Sequence, residues 1–150
     1  MISFHQLLMQ PTWCAQELER AQEELNEMAG SSQGMVASYS GMGGLGGGGG
    51  TKDSALVATV TLVDAVKQAR GRLFDAEHVL NGFLADLATV DARSALLLRY
   101  RYLRRLNWDQ VRECMARKGY CSKTERTIFN WHKVARLRGG DLWQERTKND

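Results

Sequence analysis

The residues best equipped for chemistry lie between Lys123 and Lys133. If Ile128, Trp131 and Ala135 face a core, a helical wheel of about 100° per residue carries Arg126, Asn130 and Lys133 to the opposite face. Phe129 falls at the edge of that face, and Lys123 and Thr124 at its N-terminal end. Arginine can hydrogen-bond guanine through two donors and asparagine can do the same with adenine, whereas lysine and helix N-terminal amides suit phosphate. The base-reading candidates are therefore Arg126, Asn130, Lys133 and Thr124. Lys123, Arg104, Arg105, Arg112, Arg117, Lys118, Arg136 and Arg138 are candidates to neutralise the DNA backbone. Basic residues on short helices can also be a plain solvated surface, and the charge distribution separates the two readings. The chain of 150 residues has a net charge of only +3, but Met1–Val90 hold 5 basic and 10 acidic residues against 15 and 7 in Asp91–Asp150. The C-terminal part is the end suited to a polyanion.

Three short helices are expected to position these groups. Asp91 suits an N-cap, followed by an apolar face of Leu96, Tyr100 and Leu103. Asn107 and Gln110 form an N-x-x-Q capping box ahead of Trp108, Val111 and Met115, and Gly119 ends that helix. The third helix starts at Ser122, where Ser-Lys-Thr-Glu is a capping box, or at Thr124. Two capped helices joined by a glycine-containing turn behind a support helix predict a helix-turn-helix over residues 91–138, with a polar tail at 139–150.

Upstream, residues 1–29 read as a helix with Pro11 in its first turn and a seam of Cys14, Leu18, Ala21, Leu25 and Met28. Glu17, Glu19, Glu23, Glu24 and Glu27 occupy its other faces, and Gly30 ends it. Residues 30–51, with eight glycines between Gly41 and Gly50, read as a flexible linker reaching about 25 Å. A second helix over 52–88 carries the stripe Leu56, Val60, Val63, Val66, Ala69, Leu73, Ala76, Leu80, Phe83 and Leu87. The expected fold is all-α: an antiparallel helical hairpin forming a coiled-coil arm, followed by the helix-turn-helix.

The runs Leu98-Arg99-Tyr100-Arg101-Tyr102-Leu103, Asn107-Trp108-Asp109-Gln110-Val111, Gly119-Tyr120 and Thr127-Ile128-Phe129-Asn130-Trp131-His132 resemble the helix-turn-helix of sigma-factor region 4. More specifically, they resemble the small phage and prophage transcriptional regulators of the RinA/ArpU-like group. Arg112 stands where that group has alanine, and the turn around Gly119 is longer. The resemblance implies a transcriptional regulator, an activator of late genes, that binds double-stranded DNA and contacts host RNA polymerase in the cytoplasm of a bacterial host. The arm would serve self-association or polymerase contact. Two rival readings are a small terminase subunit that binds viral DNA for packaging, and a sigma-like adaptor that binds polymerase without reading DNA.

Other chemistry is weakly supported. Gly41-Met42-Gly43-Gly44-Leu45-Gly46 matches G-x-G-x-x-G formally but runs into more glycine instead of a helix. Cys14, Cys114 and Cys121 form neither an even set nor a metal-ligand spacing, which points to a reducing compartment and to no bound metal. No nucleophile, base and acid fall together, so no enzyme activity and no cofactor are expected. No apolar run is long enough to span a membrane.

Overall fold

The computed structural model describes the backbone of residues 1–39 and 49–150, and the side chains of residues 1–30 and 54–150. The described residues are helical, with no strand. The elements are α1 (Phe4–Tyr39), α2 (Gly49–Val90), α3 (Ala92–Leu98), a π-helical turn (Arg99–Leu103), α4 (Trp108–Arg117) and α5 (Glu125–Lys148). The chain divides into two compact units, one of residues 1–13 and 74–150, the other of residues 14–73.

The second unit holds the later part of α1 and the earlier part of α2. The seam read from the sequence on α1 is present: Cys14, Leu18, Ala21, Leu25 and Met28 are each half-buried, while Glu17, Glu19, Glu23, Glu24 and Glu27 are exposed. On α2, Val66 and Ala69 are buried. Glu17 and Arg72 form an ion pair at 3.4 Å. Burial, and secondarily the Glu17 carboxylate, raise the Cys14 thiol pKa above its usual value. Leu56 and Val60, expected on the inward stripe, are instead 64% and 52% exposed, and Val57 beside them is 64% exposed. The helix boundaries also differ from the sequence reading. α1 continues past Gly30 to Tyr39, and α2 begins at Gly49. The expected linker is thus helical at both ends, and the glycine run from Gly41 to Gly48 lies outside the described residues.

In the first unit, Leu7, Leu8, Leu80, Phe83, Leu84, Leu87, Leu97, Leu98, Tyr100, Val111, Met115, Ile128 and Ala135 belong to one core. Pro11 lies inside α1, not in its first turn. The helix starts earlier because Ser3 and Gln6 form a capping box, the Gln6 N–H donating to Ser3 Oγ at 3.2 Å and the Ser3 N–H to Gln6 Oε1 at 2.8 Å. The proline withholds one backbone donor, and its side chain is fully buried.

Asp91 caps α3 as expected, accepting from the Ser94 N–H at 3.1 Å and the Ser94 hydroxyl at 2.6 Å. Burial alone would raise its pKa, but these two hydrogen bonds and the Arg138 guanidinium outweigh it and hold the carboxyl below the usual range. The buried face of α3 is Ser94, Ala95, Leu97 and Leu98, with Leu96 and Leu103 only partly buried. The helix then widens into the π turn, where the Arg104 N–H reaches back five residues to the Arg99 carbonyl at 3.0 Å. That change of winding breaks the regular three-and-four spacing on which the Leu96, Tyr100, Leu103 stripe rests. Arg105 follows with a φ of 56°, the one non-glycine residue with positive φ among those described.

Candidate nucleic-acid interface

α4 and α5 carry the candidate surface. The Asn107–Gln110 capping box starts α4 as read from the sequence, with both reciprocal hydrogen bonds present at 2.9 and 3.1 Å. Val111 and Met115 are fully buried and Trp108 is partly so. The helix ends at the Lys118 cap, and Gly119 supplies a φ of 91°, in a region that side-chain-bearing residues avoid.

Of the two expected starts for α5, the structure takes Thr124, whose Oγ1 accepts from the Thr127 N–H at 3.4 Å and lies 3.1 Å from the Thr127 hydroxyl. Its hydroxyl is therefore engaged in the cap, at the exposed N-terminal end of α5. Ile128 and Ala135 are fully buried, and Trp131 is half-buried beneath the Arg93 guanidinium, 4.8 Å from its ring. This fixes the rotation of α5. Arg126, Asn130 and Lys133 fall together on its exposed side, with Phe129 and Arg136 along one edge.

The cations then sort by engagement. Arg138 pairs with Asp91 at 2.5 Å, Arg105 with Glu77 at 3.2 Å and Arg117 with Glu113 at 3.5 Å. Arg104 lies over the Tyr100 ring at 5.4 Å. Arg101 donates to the Leu106 carbonyl at 2.8 Å while covering the Trp108 ring. By contrast, Lys118, Lys123, Arg126, Lys133 and Arg136 are exposed, and their side chains make no hydrogen bond or ion pair with any described residue. Arg112 is half-buried, in a shallow hollow with Asp109, Glu113, Ala116, Cys121 and Ser122. Arg138 is the clearest departure from the phosphate candidates, because its partner Asp91 is only 9% exposed and is itself the α3 cap.

His132 shares α5 with the exposed face but points the other way. Its Nε2 lies 2.7 Å from the Tyr102 hydroxyl, and its ring meets Trp108 edge-on at 4.8 Å. Burial, with the nearby Arg136 and Arg101 charges, lowers its pKa to about 4. At neutral pH it is an uncharged packing residue.

Beyond Arg138 the structure shows something that sequence reasoning missed. Residues 139–148 are not a tail, because α5 runs on through Gly139 and Gly140 to Lys148. Phe4 crosses α5 at Gly139, where an added Cβ would come within 2.5 Å of the phenyl ring. Trp143 packs edge-on against Phe83 at 5.5 Å and donates from Nε1 to the Ile2 carbonyl at 3.1 Å. The Gly-Gly pair is a close-approach site for the N-terminal aromatic residue. The signal was Trp143 itself, a large apolar residue that a solvated tail has no use for.

Among the described residues no group of histidine, cysteine and acidic side chains could hold a metal, and no helix is long and apolar enough to cross a membrane. No family model, no curated protein and no solved structure matches this chain.

Proposed function

We propose that the chain is a sequence-specific DNA-binding transcriptional regulator of the phage type, in which α4 and α5 act as a helix-turn-helix and α5 enters the major groove. The observation that carries this reading is the sorting of the charges. The side chains of Arg126, Lys133 and Arg136 stand unpaired around the neutral Asn130 on the exposed side of α5, while Arg138, on another side of the same helix, and Arg105 and Arg117 outside it are paired. Unpaired cations on one helix face can displace counterions from a duplex without first breaking an internal contact. In that docking Arg126 and Asn130, exposed and one turn apart, are the residues that would meet base edges. The resemblance of residues 98–132 to sigma-factor region 4 points the same way and adds host RNA polymerase as a partner.

The arm reading draws support from the second unit, where Glu17 of α1 pairs with Arg72 of α2. Exposed Leu56, Val57 and Val60 give the arm an apolar patch for self-association.

The test is equilibrium binding to duplexes enriched from a random pool and to unselected duplex. Arg126→Ala or Asn130→Ala should each cost about 1–3 kcal/mol on the enriched site and little on unselected DNA. Equal losses on both would make these residues phosphate contacts. Weak preference with a large ring in solution would favour the packaging protein, and no DNA binding would leave the polymerase adaptor.

A further inference from the structure

Two apolar residues on the exposed side of α5 are not hidden: Leu137, 62% exposed towards the C-terminal half, and Phe129, which lies among the candidate base-reading residues. Phe129 is 44% exposed, next to Asn130 in sequence and one turn from Arg126 and Lys133. Removing an exposed aromatic ring from water is favourable, so Phe129 is available to an apolar partner that docks on this face.

The ring is also held in place. Trp108 meets it edge-on, with centroids 5.2 Å apart and planes at 83°. Trp108 is itself clamped by the Arg101 guanidinium at 4.7 Å and by the His132 ring at 4.8 Å, and His132 is tied to the Tyr102 hydroxyl. The covered part of Phe129 thus rests on an aromatic stack reaching from the π turn to α5, and the rest projects along the edge of the unpaired face. A ring pinned in this way loses little conformational freedom when something docks against it.

From this geometry we infer that Phe129 is a specificity-determining residue that reads the 5-methyl group of a thymine next to the base contacted by Asn130. The inference rests on the proposed docking of α5 in the major groove. There the thymine methyl is the one apolar group on the base edges, and phenylalanine is among the side chains suited to it. Arg126 and Asn130 supply hydrogen bonds for guanine and adenine, and Phe129 adds the discrimination that hydrogen bonds do not provide. The preferred site should therefore hold a thymine that matters through its methyl group alone.

The experiment uses the full chain and a duplex enriched from a random pool. Each thymine in the site is replaced in turn by deoxyuridine, which removes only the methyl. At one or two positions adjacent to the base whose identity Asn130→Ala ceases to read, wild-type binding should weaken about fourfold, the equivalent of one methyl lost from apolar contact. The same replacement should have no effect on Phe129→Ala, and Phe129→Leu should restore part of it. The deoxyuridine series on wild type needs no variant, so a folding defect in Phe129→Ala cannot mask the result. Selective binding that is indifferent to every deoxyuridine, or an equal loss in wild type and Phe129→Ala, would overturn the role of Phe129 and leave the DNA-binding reading intact. Absence of any duplex preference would overturn both.

Discussion

Replacing Gly139 by alanine sets two calculable effects against each other. Inside a helix, alanine is favoured over glycine by about 0.8–1 kcal/mol. Yet Gly139 is buried, and its new Cβ would lie 2.5 Å from Phe4 Cζ and 3.1 Å from Cε1. The phenyl ring has limited room to retreat because it packs against Phe83 at 5.6 Å. Overpacking of this kind costs about 1–3 kcal/mol, so Gly139→Ala should destabilise the chain by about 1 kcal/mol net. Gly82 provides the control: it lies inside α2 with nothing within 4 Å of where a Cβ would stand, and Gly82→Ala should stabilise by about 0.5–1 kcal/mol. The sharper test is Gly139→Ala combined with Phe4→Ala. With the ring gone, the same glycine replacement should become stabilising, a coupling of about 1–3 kcal/mol between residues far apart in sequence. Urea unfolding followed by far-ultraviolet circular dichroism measures all of these variants. If Gly139→Ala stabilises the unaltered chain as Gly82→Ala does, Phe4 does not cross α5 at this point and the reasoning is refuted.

Further expectations follow from the same contacts. Deleting residues 139–150, or replacing Trp143 by alanine, should lower stability by at least about 2 kcal/mol, because both remove the Phe83 packing and the hydrogen bond to Ile2; a loss under about 0.5 kcal/mol would mean a true tail. His132 is neutral in the fold down to about pH 4, whereas the unfolded chain takes up its proton near pH 6.5. The stabilisation tied to keeping this ring neutral is therefore complete above pH 6.5 and is lost as pH falls from 6.5 to 4, by about 1–3 kcal/mol after discounting for partial exposure. Urea titrations across that window should show a flatter profile for His132→Gln, and an unchanged profile would remove His132 as the source.

Local signals were legible where they are self-contained. The Asn107–Gln110 box, the Asp91 cap and the Ile128, Ala135 stripe are decided by residues three to seven apart, and each appears where the sequence places it. The same holds for the α1 seam and for the α2 stripe from Val63 onward. Pro11 drew attention from the Ser3–Gln6 box, which carries the stronger start signal because it satisfies two backbone donors at once. The extension of α5 could not be read locally. Gly139 and Gly140 resemble a helix stop until Phe4, from the other end of the chain, is seen to occupy the space they leave. The Arg99–Leu103 turn was equally opaque, since a π turn has no periodic signature of its own and shifts the phase of the residues after it. Pairing of cations was the largest gap in the candidate site. Nothing near Arg138 in sequence shows that it faces Asp91 across 47 positions, while the same rotation of α5 leaves Arg126 and Lys133 outward.

That pairing supplies the most direct test of the central claim. Binding of the full chain to an enriched duplex should weaken steeply with salt, with a logarithmic slope of about −4 to −6 if about four to seven unpaired cations neutralise phosphates. Arg136→Ala should reduce the slope by about 1, and Arg138→Gln, whose guanidinium already serves Asp91, should leave it unchanged. A salt-insensitive affinity, or a slope altered by Arg138→Gln and not by Arg136→Ala, would contradict the account.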